Sequence, residues 1–240
     1  MYLIIGSGKI ARHFAHYFDL LKIPYLQWSR SQPGQLAAQQ SRSQLSDLHS
    51  QVDRTLLLIS DSAIGDFVDE HPFLKSKTLI HFSGSLSIPG VVSWHPLMTF
   101  SSELYNLETY QTIPFVTTDS QPISQQLPGL QNAFYKLEES QKPLYHALCV
   151  LGGNFSTLLI GKMISRFETD LGLPRHLALR YLEQVFSNAF TLADPLTGPL
   201  ARKDNTVITK NLHALAHDPY EKIYRSFVEI HHPQYKETQI

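Results

Sequence analysis

The segment Gly6-Ser7-Gly8-Lys9-Ile10-Ala11 constrains this chain more than any other. It has the form GxGxxA. The first glycine permits a sharp turn out of a strand. The second lets backbone N–H groups approach a pyrophosphate, and the small third residue lets the following helix pack on the strand. The helix N-terminus adds free donors and partial positive charge. The flanks agree. Tyr2-Leu3-Ile4-Ile5 before the turn is short, apolar and rich in β-branched residues, and apolar residues at 10, 11, 14, 15, 18 and 21 after it recur at helical spacing. The turn is read as a dinucleotide phosphate site built from Gly6, Ser7, Gly8, Lys9 and Ile10.

The same alternation continues. Pro24-Tyr25-Leu26-Gln27-Trp28 reads as a second strand, and the polar stretch Gln32 to Gln44 is expected to hold a short helix. Thr55 to Ile59 is an unbroken apolar strand. Asp61-Ser62 looks like a helix cap before Ala63 to Val68, and Thr78 to Phe82 is another strand that ends in Ser83-Gly84-Ser85. Short, wholly apolar strands alternating with helices predict a parallel sheet covered on both faces. The fold class is therefore α/β, a Rossmann-type doubly wound, mostly parallel sheet followed by an all-α C-terminal domain. After about residue 120 strand signals stop, apart from an edge piece at Phe134-Tyr135-Lys136-Leu137. Helices are predicted from Pro143 to Leu171 and from Pro174 to Ala193. A third, capped by Asp204 or Asn205, runs through Ala216, and a last one starts near Pro219. The boundaries drawn are 1–141 for dinucleotide binding and 142–240 for substrate binding and dimerisation.

An NAD site usually places a carboxylate at the end of the second strand for the ribose 2′-OH. Here that position reads Trp28-Ser29-Arg30-Ser31, with no acid. A guanidinium between two hydroxyls suits a 2′-phosphate, so the expected cofactor is NADP, held partly by Ser29, Arg30 and Ser31. Two further strand ends, Ser60-Asp61 and Ser83-Gly84, are expected along the cofactor, because ligands bind at the carboxyl ends of parallel strands.

Twenty Lys plus Arg nearly balance 21 Asp plus Glu, for a net charge of −1. This gives no electrostatic case for nucleic acid or a membrane surface as partner. A single cysteine, Cys149, forms no internal disulfide, in keeping with a cytoplasmic location. No signal peptide is recognised, and no apolar run is expected to reach the roughly 18 residues needed to cross a bilayer. No HExxH or cysteine cluster is present, so no metal site is expected.

Gly6-Ser7-Gly8, His95-Pro96-Leu97-Met98-Thr99-Phe100, Tyr145-His146-Ala147, Asn154 and Thr197-Gly198-Pro199 with Arg202 and Asp204 together resemble the Rossmann-like oxidoreductase-like proteins, whose C-terminal half is known only as a domain of unknown function. The resemblance covers nearly the whole chain. That family is similar to pyrroline-5-carboxylate reductase, ketopantoate reductase and 6-phosphogluconate dehydrogenase, which implies NADP-dependent reduction and a helical domain that dimerises. Two positions depart from these patterns. Lys203 stands where the family usually has glycine. The β-hydroxyacid dehydrogenases carry a catalytic lysine four residues before an asparagine, and four before Asn154 is Val150, so their proton-donor chemistry does not carry over.

A reductase needs a proton donor and a substrate anchor besides its hydride source. His146 and Asn154 lie eight apart on one predicted helix, and so would face nearly the same way. His146 is the candidate general acid, or else an interface packing residue. Asn154 is the candidate holder of a carbonyl or the nicotinamide amide, and Arg202 the candidate clamp for a substrate carboxylate. Asp204 would cap a helix or orient Arg202 or His146. His95 would reach the cleft or simply fix the backbone before Pro96. The leading reading is an NADP-dependent reductase of a small, carboxylate-bearing carbonyl or imine compound, acting as a homodimer. The alternative is a non-catalytic NADP-binding sensor or protein-interaction subunit.

Overall fold

A computed structural model of the chain describes residues 1–30 and 38–238, with the side chains of 38–42 left aside. Two compact units divide between Thr157 and Leu158. The first holds strands β1 (Tyr2–Ile5), β2 (Tyr25–Trp28), β3 (Arg54–Leu57), β4 (Thr78–His81), β5 (Val92–Pro96), β6 (Phe115–Thr117) and β7 (Phe134–Lys136). Its helices are α1 (Lys9–Leu21), α2 (Ala38–Ser50), α3 (Asp61–Glu70), α4 (Leu107–Thr112), α5 (Ile123–Gln126) and α6 (Lys142–Cys149). α7 (Ser156–Thr169) crosses the division. α8 (Arg175–Thr191), α9 (Gly198–Arg202), α10 (Asn205–Ala214) and α11 (Glu221–His231) belong to the second unit.

The strands make one sheet in the order β2-β1-β3-β4-β5-β6-β7. β1 pairs in parallel with both β2 and β3, and β3 with β4 and β4 with β5 are also parallel. β6 runs antiparallel to β5, and β7 parallel to β6. The sheet is thus mostly parallel, as the sequence predicts. The order changes direction at β1, which is where an open α/β sheet leaves a crevice at its strand ends.

Period-two alternation explains the layers. Tyr2, Ile4, Leu56, Leu58, Ile80 and Phe82 point to the face covered by Phe14 and Phe18 of α1. Leu3, Ile5, Leu57 and Leu79 point to the other face, against Leu45 of α2 and Ile64, Phe67 and Val68 of α3. Both faces are covered, so β1, Leu56-Leu57 of β3 and Leu79-Ile80 of β4 read as apolar runs. α2 overlaps the polar stretch 32–44 expected to hold a short helix; residues 32–37 of that stretch lie outside those described. β5 and β6, which the sequence did not reveal, continue the sheet, and His95 stands in β5.

The long helix expected from Pro143 is interrupted. Between α6 and α7 lies a π-helical stretch, Val150–Phe155, containing Gly152 and Gly153. Glycines are poor α-formers, and the wider i→i+5 turn inserts there. This alters the register on which a shared face for His146 and Asn154 rested. The helical segment Glu139–Thr169 also corrects the bilayer expectation. It is 31 residues long and contains an 18-residue window of mean hydropathy 1.5, long and apolar enough by length and composition to cross a membrane.

The second unit has a small core, Ile208, Leu212 and Val228, flanked by Leu200, Tyr224 and Tyr235. Asp204 caps α10, its carboxylate accepting from the Val207 N–H at 3.1 Å. Lys203 before it adopts φ 54°, ψ 43°, the left-handed conformation that glycine takes without strain.

Candidate functional site

The site is built from strand ends. A groove of about 480 Å³ opens where β1, β2, β3 and β4 finish, and is lined by Gly6 to Ile10, Trp28 to Arg30, Leu57 to Asp61, and Phe82 with Ser83. Gly6 has φ 135°, and a Cβ there would stand 2.2 Å from the Leu58 carbonyl oxygen, so only glycine fits. Gln27 Nε2 donates to the Gly6 carbonyl at 2.8 Å and braces the turn. Gly8 is different. A Cβ there would meet no protein atom within 4 Å. Packing does not require this glycine, and the open space above it is what a close-lying phosphate would need. Gly8 is the N-cap of α1 without a side-chain cap, which leaves the first-turn amides free for an anion. The residues present fit a dinucleotide.

Arg30 and Ser29 line the groove at the end of β2; Ser31 lies outside the described residues. Ser60 is the backbone N-cap of α3 and makes no side-chain cap bond. Asp61 is not the cap but the first helical residue. Its Oδ2 accepts from Ser83 Oγ at 2.5 Å, tying the end of β3 to that of β4.

Beyond Ser83, the groove's last strand-end residue, comes Gly84. A Cβ on Gly84 would fall 2.6 Å from His146 Cδ2 and 3.1–3.2 Å from His95 Cδ2 and Nε2. The glycine therefore lets two imidazoles close on the backbone, with ring centroids 6.2 Å apart. His95 Nδ1 lies 2.6 Å from the Tyr145 hydroxyl. Burial pushes the His95 imidazole down to about 4, and neighbouring His146 adds to this against the pull of Asp61. The Tyr145 phenol is held above its ordinary value, first by burial and then by Cys149 one turn along α6.

Sequence reasoning missed Lys142 and His81. Lys142 is buried at 4% exposure, and its Nζ donates to the Leu86 carbonyl and, at 2.8 Å, to Ser93 Oγ. Burial lowers its pKa, opposed by Glu139 and Asp61. The first helix after the sheet thus does carry a buried lysine, but its ammonium is engaged in holding the loop after β4. His81 accepts the Ser83 N–H on Nδ1 at 3.3 Å, and burial brings its pKa down to about 4. The only sequence signal for it was a polar residue ending an apolar strand.

Asn154 is exposed in the π-helical stretch. Arg202, the last residue of α9, is exposed and belongs to the second unit. The carboxylate of Asp204 is spent on its cap. Among the described residues no group of three or more His, Cys, Asp or Glu could hold a metal ion.

Residues 117–230 match the family model of a domain of unknown function, DUF2520. No curated protein sequence matches the chain. A candidate NADP oxidoreductase from Bacteroides fragilis is similar in structure, with a TM-score of 0.73, 20% identity and 97% of each chain covered. Pyrroline carboxylate reductase from Plasmodium falciparum, with NADP bound, gives a TM-score of 0.56 at 15% identity over 98% of this chain and 97% of the other. A variant imine reductase from Myxococcus stipitatus in complex with NAD+ gives 0.55 at 14% identity over 99% and 96%. At these identities the likeness is one of fold. The chain thus has a Rossmann-like fold similar to that of these oxidoreductases and carries a DUF2520 domain over residues 117–230.

Proposed function

We propose that this protein is an NADP-dependent reductase of a small carbonyl or imine compound. The observation that carries the reading is the placing of the histidine pair. The groove that suits a dinucleotide ends at Ser83, and the imidazoles of His95 and His146 close on Gly84, the next residue. A cofactor with its phosphates on the Gly6 to Ala11 turn extends across the strand ends, toward that pair. The bound cofactor would supply the hydride. The chain's part is to donate a proton, orient the substrate and exclude water. The solved relatives named above include two reductases, one with NADP and one with NAD+, which supports an oxidoreductase. The choice of NADP rests on Arg30 and Ser29.

The test is NADPH titration by fluorescence, followed by loss of reduced-nicotinamide absorbance over a panel of 2-oxoacids, aldehydes and cyclic imines. Consumption that falls in His146→Ala and Arg202→Ala, with NADPH affinity kept, supports a catalytic part for the histidine pair and the clamp role read for Arg202 from the sequence. Tight NADPH binding with no consumption over the whole panel makes the protein a sensor instead.

We also infer a homodimer through residues 143–240. Phe190 at 82% exposure and Ile230 at 69% represent apolar side chains that the small core of the second unit does not cover. A monomer by light scattering at micromolar concentration removes that part of the reading.

A further inference from the structure

We infer that His95, held in one tautomer by Tyr145, is the group that polarises and protonates the substrate, and that the substrate atom it serves is a carbonyl oxygen and not an imine nitrogen. This rests on the reductase reading and deepens it.

His95 is the next-to-last residue of β5, whose register against β6 is fixed by the pairs Trp94–Thr117, His95–Val116 and Pro96–Phe115. Tyr145 is on α6, and its hydroxyl meets His95 Nδ1 at 2.6 Å with the rings edge to face. The opposite ring edge, with Nε2, lies over Gly84 and makes no hydrogen bond among the described residues. One nitrogen is thus engaged by the protein, and the other faces the place where the groove ends.

Chemistry then sets the proton. A neutral imidazole carries one N–H, and its partner at the other nitrogen decides which. In the inferred arrangement the phenol, an O–H group that burial keeps protonated, donates to Nδ1 rather than to Cys149. The N–H therefore sits on Nε2, toward Gly84. His146, Asp61 and Lys142 are the other charged or titratable groups that act on the ring, and burial with His146 keeps it uncharged.

In the step this implies, hydride from the reduced nicotinamide adds to the carbonyl carbon as the C=O π pair moves onto oxygen. The Nε2–H bond breaks as the new O–H bond forms. The Tyr145 proton moves to Nδ1, and the ring stays neutral. Return of that proton to the phenolate, with uptake of one proton from water at Nε2, restores the pair. An imine fits the same place poorly. It accepts hydride as a protonated iminium, a cation that a carboxylic acid would suit. Here Lys142 adds positive charge nearby, and Asp61 already accepts from Ser83.

The experiment reads tautomer and turnover separately. Long-range proton–nitrogen correlation spectra of nitrogen-labelled protein identify the His95 ring by its absence in His95→Gln. The expected result is an unprotonated Nδ1 and a protonated Nε2, with the Nδ1 signal displaced in Tyr145→Phe. With NADPH, glyoxylate and small aldehydes are set against 2-methyl-1-pyrroline. His95→Gln should lower carbonyl turnover by about 10²–10⁴-fold with KM little changed. Tyr145→Phe, altering a positioning residue, should lower kcat by ~10-fold and change its solvent isotope effect. A wild-type Nδ1–H overturns the His95 assignment whatever the enzyme reduces. Turnover of the imine without the carbonyls overturns the carbonyl assignment and leaves the reductase reading standing. No NADPH consumption with either probe class overturns both.

Discussion

Ser83 Oγ donates to Asp61 Oδ2 at 2.5 Å and itself accepts the backbone N–H groups of Ser85 at 3.3 Å and Leu86 at 3.2 Å. One buried hydroxyl thus links the start of α3 to the loop that carries Gly84. Removing it strands a carboxylate and two amides, and a buried polar group left unpaired costs about 1–3 kcal/mol. Ser83→Ala should lower the unfolding free energy by that amount, read as a lower urea midpoint at an unchanged m-value. An unshifted midpoint would mean that the hydroxyl holds nothing in place.

The two glycines of the phosphate turn should separate fold from function. Gly6→Ala places a methyl 2.2 Å from the Leu58 carbonyl oxygen in a backbone region closed to L residues, and should give little folded protein. Gly8→Ala meets only open space, so it should keep the wild-type melting temperature while NADPH affinity falls by ~10-fold or more. Equal NADPH affinity in a well-folded Gly8→Ala protein would show that no phosphate approaches that backbone.

Arg30 bears on cofactor choice. Wild-type protein should bind NADPH at least ~10-fold more tightly than NADH, the size of one charge-assisted contact set. Arg30→Ala should bring the two affinities together by weakening NADPH alone. Fluorescence titration of both nucleotides against both proteins checks this, and equal affinities in the wild type would reject the preference.

Where elements were legible, the physics was local. β1, α1, β3 and β4 were readable because covered parallel strands are continuous apolar runs and α1 is strongly periodic. β5 was not. Val92-Ser93-Trp94-His95-Pro96 mixes polar and apolar residues and ends in a residue that cannot donate to a ladder, so its strand state depends on neighbours distant in sequence. β6 is only three residues long. The same divide runs through the site. Gly6, Gly8 and Arg30 follow from a spacing rule. Tyr145 beside His95, 50 residues apart, and Lys142 beside Ser93, 49 apart, are made by tertiary packing alone.

Lys203 offers a test of backbone strain. It is one of two non-glycine residues with positive φ among those described, and it sits at the C-cap of α9. The left-handed conformation costs an L residue about 1–2 kcal/mol, and glycine escapes that cost at some loss of unfolded-state entropy. Lys203→Gly should therefore stabilise the protein by about 0.5–1 kcal/mol in urea unfolding. Destabilisation would mean that the lysine side chain makes a contact that outweighs its strain.

Stability should also depend on pH through buried imidazoles. His81 and His95 are both brought down to about 4 by burial, and His49 is lowered from the same cause with Lys77 adding to it. In the unfolded chain each titrates near its ordinary value of about 6.5. Above that pH both states hold these rings neutral, and no dependence arises. As pH falls from about 6.5 toward 4, the unfolded state takes up protons that the folded state refuses, so stability drops. Each ring contributes at most about 1.4 kcal/mol per pH unit, and the fall levels off once the folded state also protonates. Urea unfolding across that window should show the decline, and His81→Gln should make it shallower. A flat profile would mean that the folded protein carries these imidazoles charged, which would also remove the neutral donor assigned to His95.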